Sequence, residues 1–209
     1  MPLYKSIAID NETHLLIWEI TESEDDLKSS IKLGVVSTQR LTSMKSEVHR
    51  RAYLSVRHLL AIAQYTDEDL TYSSEGKPML SDGVCVSITH SHQYSGIIFS
   101  SKPVGIDIEK QRDKIELIAN KFISPKEEEY MAKIPAKEKV KALTFIWCTK
   151  ESMYKLYGEK GVSFKEHMDV APFQLVELQT KGSINFKESI NFFDVYSVEF
   201  NGFICVFVC

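Results

Sequence analysis

The sequence of 209 residues has little cysteine, and no two cysteines form a CxxC pair. The four are Cys85, Cys148, Cys205 and Cys209. Their scatter suits neither a disulfide framework nor a zinc ribbon, so free thiols in a reducing compartment are the simpler interpretation. The amino-terminal residues also lack a long apolar run, which predicts neither a signal peptide nor a membrane anchor. We therefore expect a cytoplasmic protein without a membrane partner.

The sequence lacks a surplus of positive charge as well. Its 25 lysine and arginine residues are outnumbered by 29 aspartate and glutamate residues, which gives a formal net charge of −4. Without a general cationic field, non-specific nucleic-acid binding is a poor candidate function, and we expect no nucleic-acid partner. A hydrophobic content of 44% predicts instead a substantial buried core.

Helix and strand patterns alternate along the chain. Apolar residues at helical spacing predict a helix over 45–65 and a second one over 136–157. Short strands separated by turns surround the second helix, and Asn201-Gly202 is typical of a tight hairpin. We predict an α+β fold, a pseudo-twofold pair of similar halves, 1–103 and 104–209, each a small antiparallel sheet packed with a long helix. Such a duplication within one chain favours a monomer.

Three helix ends carry capping signals. Thr21 with Glu24, and Ser124 with Glu127, have the three-residue spacing of a capping box. Gly158 follows the second long helical pattern, where a glycine in the left-handed conformation commonly ends a helix. We therefore predict helix starts after Thr21 and Ser124 and a helix end at Gly158.

The first group of candidate functional residues lies in the strand pattern 104–109. Alternation along a strand places Asp107 and Glu109 on one face, with their carboxylates adjacent. Two like charges so placed repel unless a cation or solvent separates them. Taken alone, the pattern is more simply explained by an ordinary half-exposed strand with a polar outer face. Gly105 favours a functional role slightly, because a glycine in a strand permits close approach of a backbone or a ligand.

The second group lies on the long helical pattern. Trp147, Glu151 and Lys155 are spaced four residues apart and share one helix face. A surface ion pair between Glu151 and Lys155 is the alternative, and it would contribute only a few tenths of a kcal/mol. The tryptophan on the same stripe favours a partly enclosed position for both charges.

Asp107, Glu109 and Glu151 together would supply three oxygen ligands from two elements. The sequence offers no comparable set of cysteines or histidines. Hard oxygen ligands suit Mg²⁺, which keeps several coordination positions for water and phosphate oxygens. A phosphate-bearing substrate is the natural partner of such a site.

Scattered basic residues are candidates for binding that phosphate by charge-assisted hydrogen bonds. They are Arg50, Arg51, Arg57, Lys77 and His90. Each has an alternative interpretation, as a solvated helix residue, a turn residue or a histidine beside a strand end.

The motifs together resemble the 4′-phosphopantetheinyl transferase superfamily, specifically its larger type with two similar halves in one chain. The resemblance rests on Gly105-Ile106-Asp107-Ile108-Glu109, followed about forty residues later by Trp147-Cys148-Thr149-Lys150-Glu151-Ser152 and then Lys155. Further matches run in the family's order from Arg50 to Gly158. They are Arg50-Arg51, Arg57-His58-Leu59-Leu60, Gly76-Lys77-Pro78, Thr89-His90-Ser91, and Phe122 with Glu127 or Glu128.

This resemblance implies a role for each matched residue. Asp107, Glu109 and Glu151 would bind Mg²⁺ together with the pyrophosphate of coenzyme A, and Lys150 and Lys155 would lie along the phosphates. The nucleotide end would lie in the half 1–103, where Lys77 and His90 would hold the 3′-phosphate. Residues that complete this predicted coenzyme A site are Thr89, Arg50, Arg51 and Arg57.

The implied reaction is attack by a carrier-protein serine on the β-phosphate of coenzyme A, with release of 3′,5′-ADP. Glu151 is the expected base and Lys155 the residue that offsets charge or protonates the leaving group. Residues predicted to dock an acyl or peptidyl carrier protein are Lys121, Phe122, Lys126 and Met131. A coenzyme A pyrophosphatase with water as nucleophile and a non-catalytic binding module are the alternative functions.

Overall fold

The computed structural model describes residues 3–209, and the chain forms two compact units that meet in sequence between Pro103 and Val104. Both units combine helices with antiparallel sheets, so the predicted α+β class is confirmed. Within the described residues, no helix combines the length and apolar composition that crossing a bilayer requires.

The first unit is built on a four-stranded antiparallel sheet in the order β1-β2-β6-β5, with a separate β3-β4 hairpin. Its elements are β1 (Leu3–Ala8), β2 (His14–Glu19), α1 (Glu24–Ser29), α2 (Val35–Ser43), α3 (Glu47–Ile62), β3 (Leu70–Tyr72), β4 (Pro78–Leu80), β5 (Cys85–Ser91) and β6 (Tyr94–Ser100). Helix α3 packs on β2 and β6, and buries Leu54, Leu59 and Leu60 in the core of this unit.

The second unit is built on a five-stranded antiparallel sheet in the order β7-β11-β10-β9-β8. Its elements are β7 (Gly105–Lys110), α4 (Pro125–Met131), α5 (Lys139–Tyr157), β8 (Met168–Val170), β9 (Thr180–Phe186), β10 (Ser189–Phe200) and β11 (Phe203–Val208), with a 3₁₀ segment over Asp113–Lys121. Helix α5 lies across β7 and β11 and buries Phe145, Ile146 and Met153 in the core of this unit.

Two of the three predicted helix ends are confirmed. Ser124 and Glu127 form the reciprocal capping box that starts α4, and Gly158 ends α5 with a φ of 76°. The prediction for Thr21 was wrong, because α1 is capped two residues later by Ser23, whose hydroxyl accepts a hydrogen bond from the Asp26 amide. The Asn201-Gly202 turn joins β10 to β11 as predicted, and both residues have a positive φ.

Candidate active site

The contact between β7 and α5 depends on the absence of a side chain at Gly105. A Cβ atom at this position would overlap the backbone carbonyl of Ser152 on the helix. The strand therefore lies directly on the helix, and a glycine is required where two backbones approach this closely. On the neighbouring strand, the Val206 carbonyl accepts a hydrogen bond of 3.0 Å from the Ser152 hydroxyl, which fixes the same helix face against the sheet.

Lys155 connects α5 to the acidic residues of β7. Its Nζ donates to Asp107 Oδ1 at 2.8 Å and to the Ile106 carbonyl at 2.9 Å. Among the ion pairs of the described residues, Lys155 therefore pairs with Asp107 rather than with Glu151 one turn away on its own helix. The simple surface pair that the helical spacing allowed is not formed, and the lysine instead bridges two elements.

Glu151 lies close enough to Asp107 and Glu109 for their charges to act on it. Burial, together with the negative charges of these two carboxylates, raises the pKa of Glu151 to about 7, although Lys155 opposes the shift. For Lys155, burial lowers the pKa, but attraction to Asp107 and Glu151 outweighs burial and the net shift is upward. The site therefore joins a carboxylate that titrates near neutral pH to a lysine that stays protonated.

The three carboxylates suit a hard divalent cation in their chemistry. Asp107 and Glu109 both disfavour negative charge on Glu151, so positive charge placed beside these carboxylates would be favourable. Within residues 3–209, no group of three or more aspartate, glutamate, histidine or cysteine side chains is arranged to hold a metal ion by itself. Mg²⁺ commonly needs only one or two protein carboxylates, because water and substrate phosphate complete its octahedron. The donor set therefore fits magnesium that is bound together with a phosphate ligand.

Lys150 does not lie where the sequence predicted. Its side chain is 0% exposed, and its Nζ donates to Glu127 Oε2 at 2.7 Å. Three backbone carbonyls also accept from it, those of Phe122 at 2.6 Å, Phe164 at 2.9 Å and Met168 at 2.9 Å. This burial contradicts the predicted place of Lys150 along the phosphates, because the ammonium group already has four acceptors and no route to solvent.

Glu127 has a larger role than its sequence pattern indicates, which is that of a helix cap and of one of two possible motif matches. It is fully buried and accepts from Lys150 and from the backbone amides of Ser124 and Val170. Burial raises the pKa of Glu127 and lowers that of Lys150, and their mutual attraction opposes both shifts. Four acceptors around Nζ favour the ammonium form, so we describe the two residues as an ion pair.

The arginines of α3 have partners inside the first unit. The Arg57 guanidinium pairs with Asp67 at 2.9 Å, and the two side chains are only 4% and 5% exposed. This contradicts the predicted contact of Arg57 with coenzyme A. Arg50 is half-buried and pairs with Glu24 at 2.8 Å, while Arg51 Nη2 donates to the Ile20 carbonyl at 3.2 Å.

Lys77 and His90 are exposed, as a ligand-binding role requires. Lys77 follows Gly76 in the turn before β4, where Gly76 has a φ of 87° and the Ser73 hydroxyl accepts from the Lys77 amide. His90 lies on β5 opposite Ser95 of β6, and its ring centroid is 5.9 Å from that of His49. Thr89 beside it is buried.

Two of the predicted docking residues are buried, so that prediction was wrong for them. Phe122 is 1% exposed and Met131 is 8% exposed, because both side chains belong to the core of the second unit. A pocket of about 190 Å³ lies instead beside Glu109. It is lined by Lys110, Arg112, Lys114, Ile115, Ile118 and Trp147, among others.

Fold and site together define an α+β enzyme whose carboxylates and lysine suit metal-assisted phosphoryl transfer. The family model described as the 4′-phosphopantetheinyl transferase superfamily matches residues 103–205, which include all of β7 and α5. The chain belongs to this superfamily.

Curated relatives agree with the family. The chain is 26% identical over 190 residues to the 4′-phosphopantetheinyl transferase HetI of Nostoc sp., covering 82% of this chain and 80% of the relative. It is 31% identical over 126 residues to the 4′-phosphopantetheinyl transferase Sfp of Bacillus subtilis, covering 57% and 56%. It is 27% identical over 135 residues to the 4′-phosphopantetheinyl transferase AcpT of Salmonella typhimurium, covering 62% and 70%.

Proposed function

We propose that this protein transfers 4′-phosphopantetheine from coenzyme A to a serine hydroxyl of an acyl or peptidyl carrier protein and releases 3′,5′-ADP. Membership of the superfamily supports the general activity, that of a 4′-phosphopantetheinyl transferase. The observation that carries the site assignment is the contact of β7 with α5 at Gly105, which brings Asp107 onto Lys155 and into electrostatic range of Glu151.

We assign Glu151 as the base that accepts the proton of the carrier serine. A serine hydroxyl is a poor nucleophile at neutral pH, and a base works best when its pKa is close to the working pH. In the protein without metal the pKa of Glu151 is about 7. Mg²⁺ bound beside Glu151 would lower this pKa, so the carboxylate would be ionised and able to accept a proton at neutral pH. Asp107, Glu109 and Glu151 would hold Mg²⁺, which, when bound, supplies positive charge that offsets the charge developing on the diphosphate.

Lys155 would stabilise charge on the phosphate oxygens. An ammonium group has three donors, and two of these already hold Asp107 and the Ile106 carbonyl, so one remains to face a phosphate oxygen. Its raised pKa keeps the group protonated, which supports electrostatic stabilisation more strongly than release of a proton to the leaving group.

The remaining coenzyme A contacts are assigned to the first unit. We propose that exposed Lys77 and His90, together with Thr89, hold the 3′-phosphate end of the nucleotide. Arg50 and Arg51 would assist from half-buried positions, while keeping their present partners. The two units, each with a sheet and one long helix, are proposed as a pseudo-twofold pair in a monomeric, cytoplasmic protein that acts without nucleic acid.

The carrier protein is proposed to dock at the pocket beside Glu109. It is lined by the exposed residues Lys110, Arg112 and Lys114 and by the half-buried residues Ile115, Ile118 and Trp147. Basic rims steer acidic partners toward a site, and carrier proteins are commonly acidic helical bundles. A serine that approaches past these basic residues would arrive next to Glu109, which belongs to the proposed magnesium site.

The activity is tested by the intact mass of an apo carrier protein incubated with the protein, Mg²⁺ and coenzyme A, with and without a chelator. Transfer adds one phosphopantetheine to the carrier, and only when the metal is present. Hydrolysis of coenzyme A without a change in carrier mass would refute the proposal in favour of a pyrophosphatase, and no change in either molecule would indicate a binding module.

A further inference from the structure

We infer that the buried pair of Lys150 and Glu127 is a positioning device for Glu151, which fixes the rotation of α5 so that the neighbouring carboxylate faces the active site. This inference rests on the proposed role of Glu151. It replaces the phosphate contact predicted for Lys150 with an indirect role in the same reaction.

The first support is the number of segments that the pair joins to α5. Lys150 Nζ bonds to the Phe122 carbonyl before α4, to Phe164 in the loop after α5 and to Met168 in β8. Through Glu127 it is linked to the amides of Ser124 and Val170. One turn of α5 is therefore held by α4 and the residues just before it, by β8, and by the loop that joins α5 to β8.

The second support is an opposing set of anchors on the other side of the same turn. Successive residues of a helix are about 100° apart, so Lys150 and Ser152 flank Glu151 on either side. Ser152 donates to the Val206 carbonyl and touches Gly105. Anchors on both sides prevent rotation in either direction, and Glu151 lies between them.

The orientation that these hydrogen bonds impose on α5 matters more here than the free energy of unfolding that they contribute. Replacing a buried ion pair by apolar residues is often neutral for stability, so stability alone does not require Lys150 and Glu127. A rotation of α5 by about 20° would move a side-chain end, roughly 6 Å from the helix axis, by about 2 Å. Displacements of about 1 Å in a catalytic group can slow a reaction by about 100-fold.

The test compares Lys150→Met, Glu127→Gln and the double variant, at a temperature where circular dichroism shows each to be folded. The double variant leaves no uncompensated buried charge and keeps the experiment informative if Lys150→Met does not fold. We expect kcat for carrier modification to fall at least about 10-fold in each variant, with KM for coenzyme A changed less than about 2-fold. Lys187→Met, which breaks an exposed pair with Glu159, is the control and should match the wild type.

A phosphate contact would give a different pattern, in which Lys150→Met raises KM for coenzyme A and Glu127→Gln has no effect. That pattern would overturn the inference, and so would a double variant with the kcat of the wild type. The latter result would mean that the pair contributes to folding alone.

A second readout does not depend on activity. The chain has two tryptophans, and in a Trp18→Phe background the emission reports Trp147, whose ring packs on Phe122 at 5.1 Å and Phe164 at 5.5 Å. Rotation of α5 in the double variant should shift this emission, whereas an unchanged spectrum would contradict the inference. If the wild type modifies no carrier, the proposed function fails, but the fluorescence result still decides whether the pair orients α5.

Discussion

Replacing Gly105 by alanine tests the contact on which the active site is built. The new Cβ atom would overlap the backbone carbonyl of Ser152, and a backbone atom inside a helix cannot move aside as a side chain can. Overpacking of this kind costs typically about 1–3 kcal/mol, because strand and helix must separate. That separation would also stretch the 2.8 Å bond between Lys155 and Asp107. Gly105→Ala should therefore lose both stability and activity.

Thermal unfolding followed by circular dichroism measures the first effect, and the rate of carrier modification measures the second. For a chain of this size, about 1–3 kcal/mol corresponds to a fall in Tm of roughly 2–12 °C. Gly182→Ala is the matched control in the same sheet, because the atom that its Cβ would meet is the Sδ of Met153, at the flexible end of a side chain. We expect the control to lose less stability than Gly105→Ala. Equal stability of Gly105→Ala and the wild type would refute the proposed requirement for close backbone contact.

Three further variants test individual side chains. Glu151→Gln should lower kcat by about 100-fold or more while coenzyme A still binds in calorimetry, because loss of a general base slows a reaction by about 10²–10⁴-fold. Near-normal turnover would show that Glu151 is not the base. Arg57→Met should lower the free energy of unfolding by about 3–5 kcal/mol, because it removes the cationic partner of buried Asp67. The KM for coenzyme A should stay unchanged, and a raised KM would mean that Arg57 does contact coenzyme A. Hydrogen bonds from the Thr66 hydroxyl, the Ser81 hydroxyl and the Thr66 amide lower the pKa of Asp69 from 3.8 to about 2. The stabilisation that Asp69 provides is thus complete above its unfolded pKa and is lost as the pH falls from about 4 toward 2. Acid titration of Asp69→Asn should therefore show a shallower loss of stability in that window than the wild type. An identical acid profile for the two proteins would contradict this assignment.

Local signals predicted the regular elements well. Helical spacing of apolar residues identified α3 and α5, and the reciprocal capping of Ser124 identified the start of α4. The predicted cap at Thr21 was wrong because the Thr-x-x-Glu spacing depends only on residue types, whereas a cap requires that the hydroxyl face the free amides of the first turn. Ser23, two residues later, meets that condition through the Asp26 amide.

The acidic pair and its helix partner were also predictable in part. Strand alternation put Asp107 and Glu109 on one face, and helical spacing put Glu151 and Lys155 on one stripe. Sequence spacing favoured a Glu151–Lys155 pair, but the lysine pairs with Asp107, because Gly105 brings β7 within its reach. Such a choice depends on tertiary contact, which local periodicity does not contain.

The burial of Lys150 lay beyond prediction from sequence. A lysine inside a helix is ordinarily exposed, and its acceptors here come from segments 14 to 28 residues away along the chain. Only when α4 and β8 fold against α5 does a polar enclosure form around Nζ. The same applies to Arg57, whose partner Asp67 lies in the loop after α3.

The most direct test of the proposed magnesium site is the dependence of carrier modification on Mg²⁺ concentration, followed by intact mass, for the wild type and Asp107→Asn. We predict that modification by the wild type stops when a chelator removes the metal, and that Asp107→Asn needs a higher Mg²⁺ concentration for half of its maximal rate. Modification that continues in the presence of chelator, or an unchanged Mg²⁺ requirement in Asp107→Asn, would contradict the assignment of these carboxylates to a magnesium site.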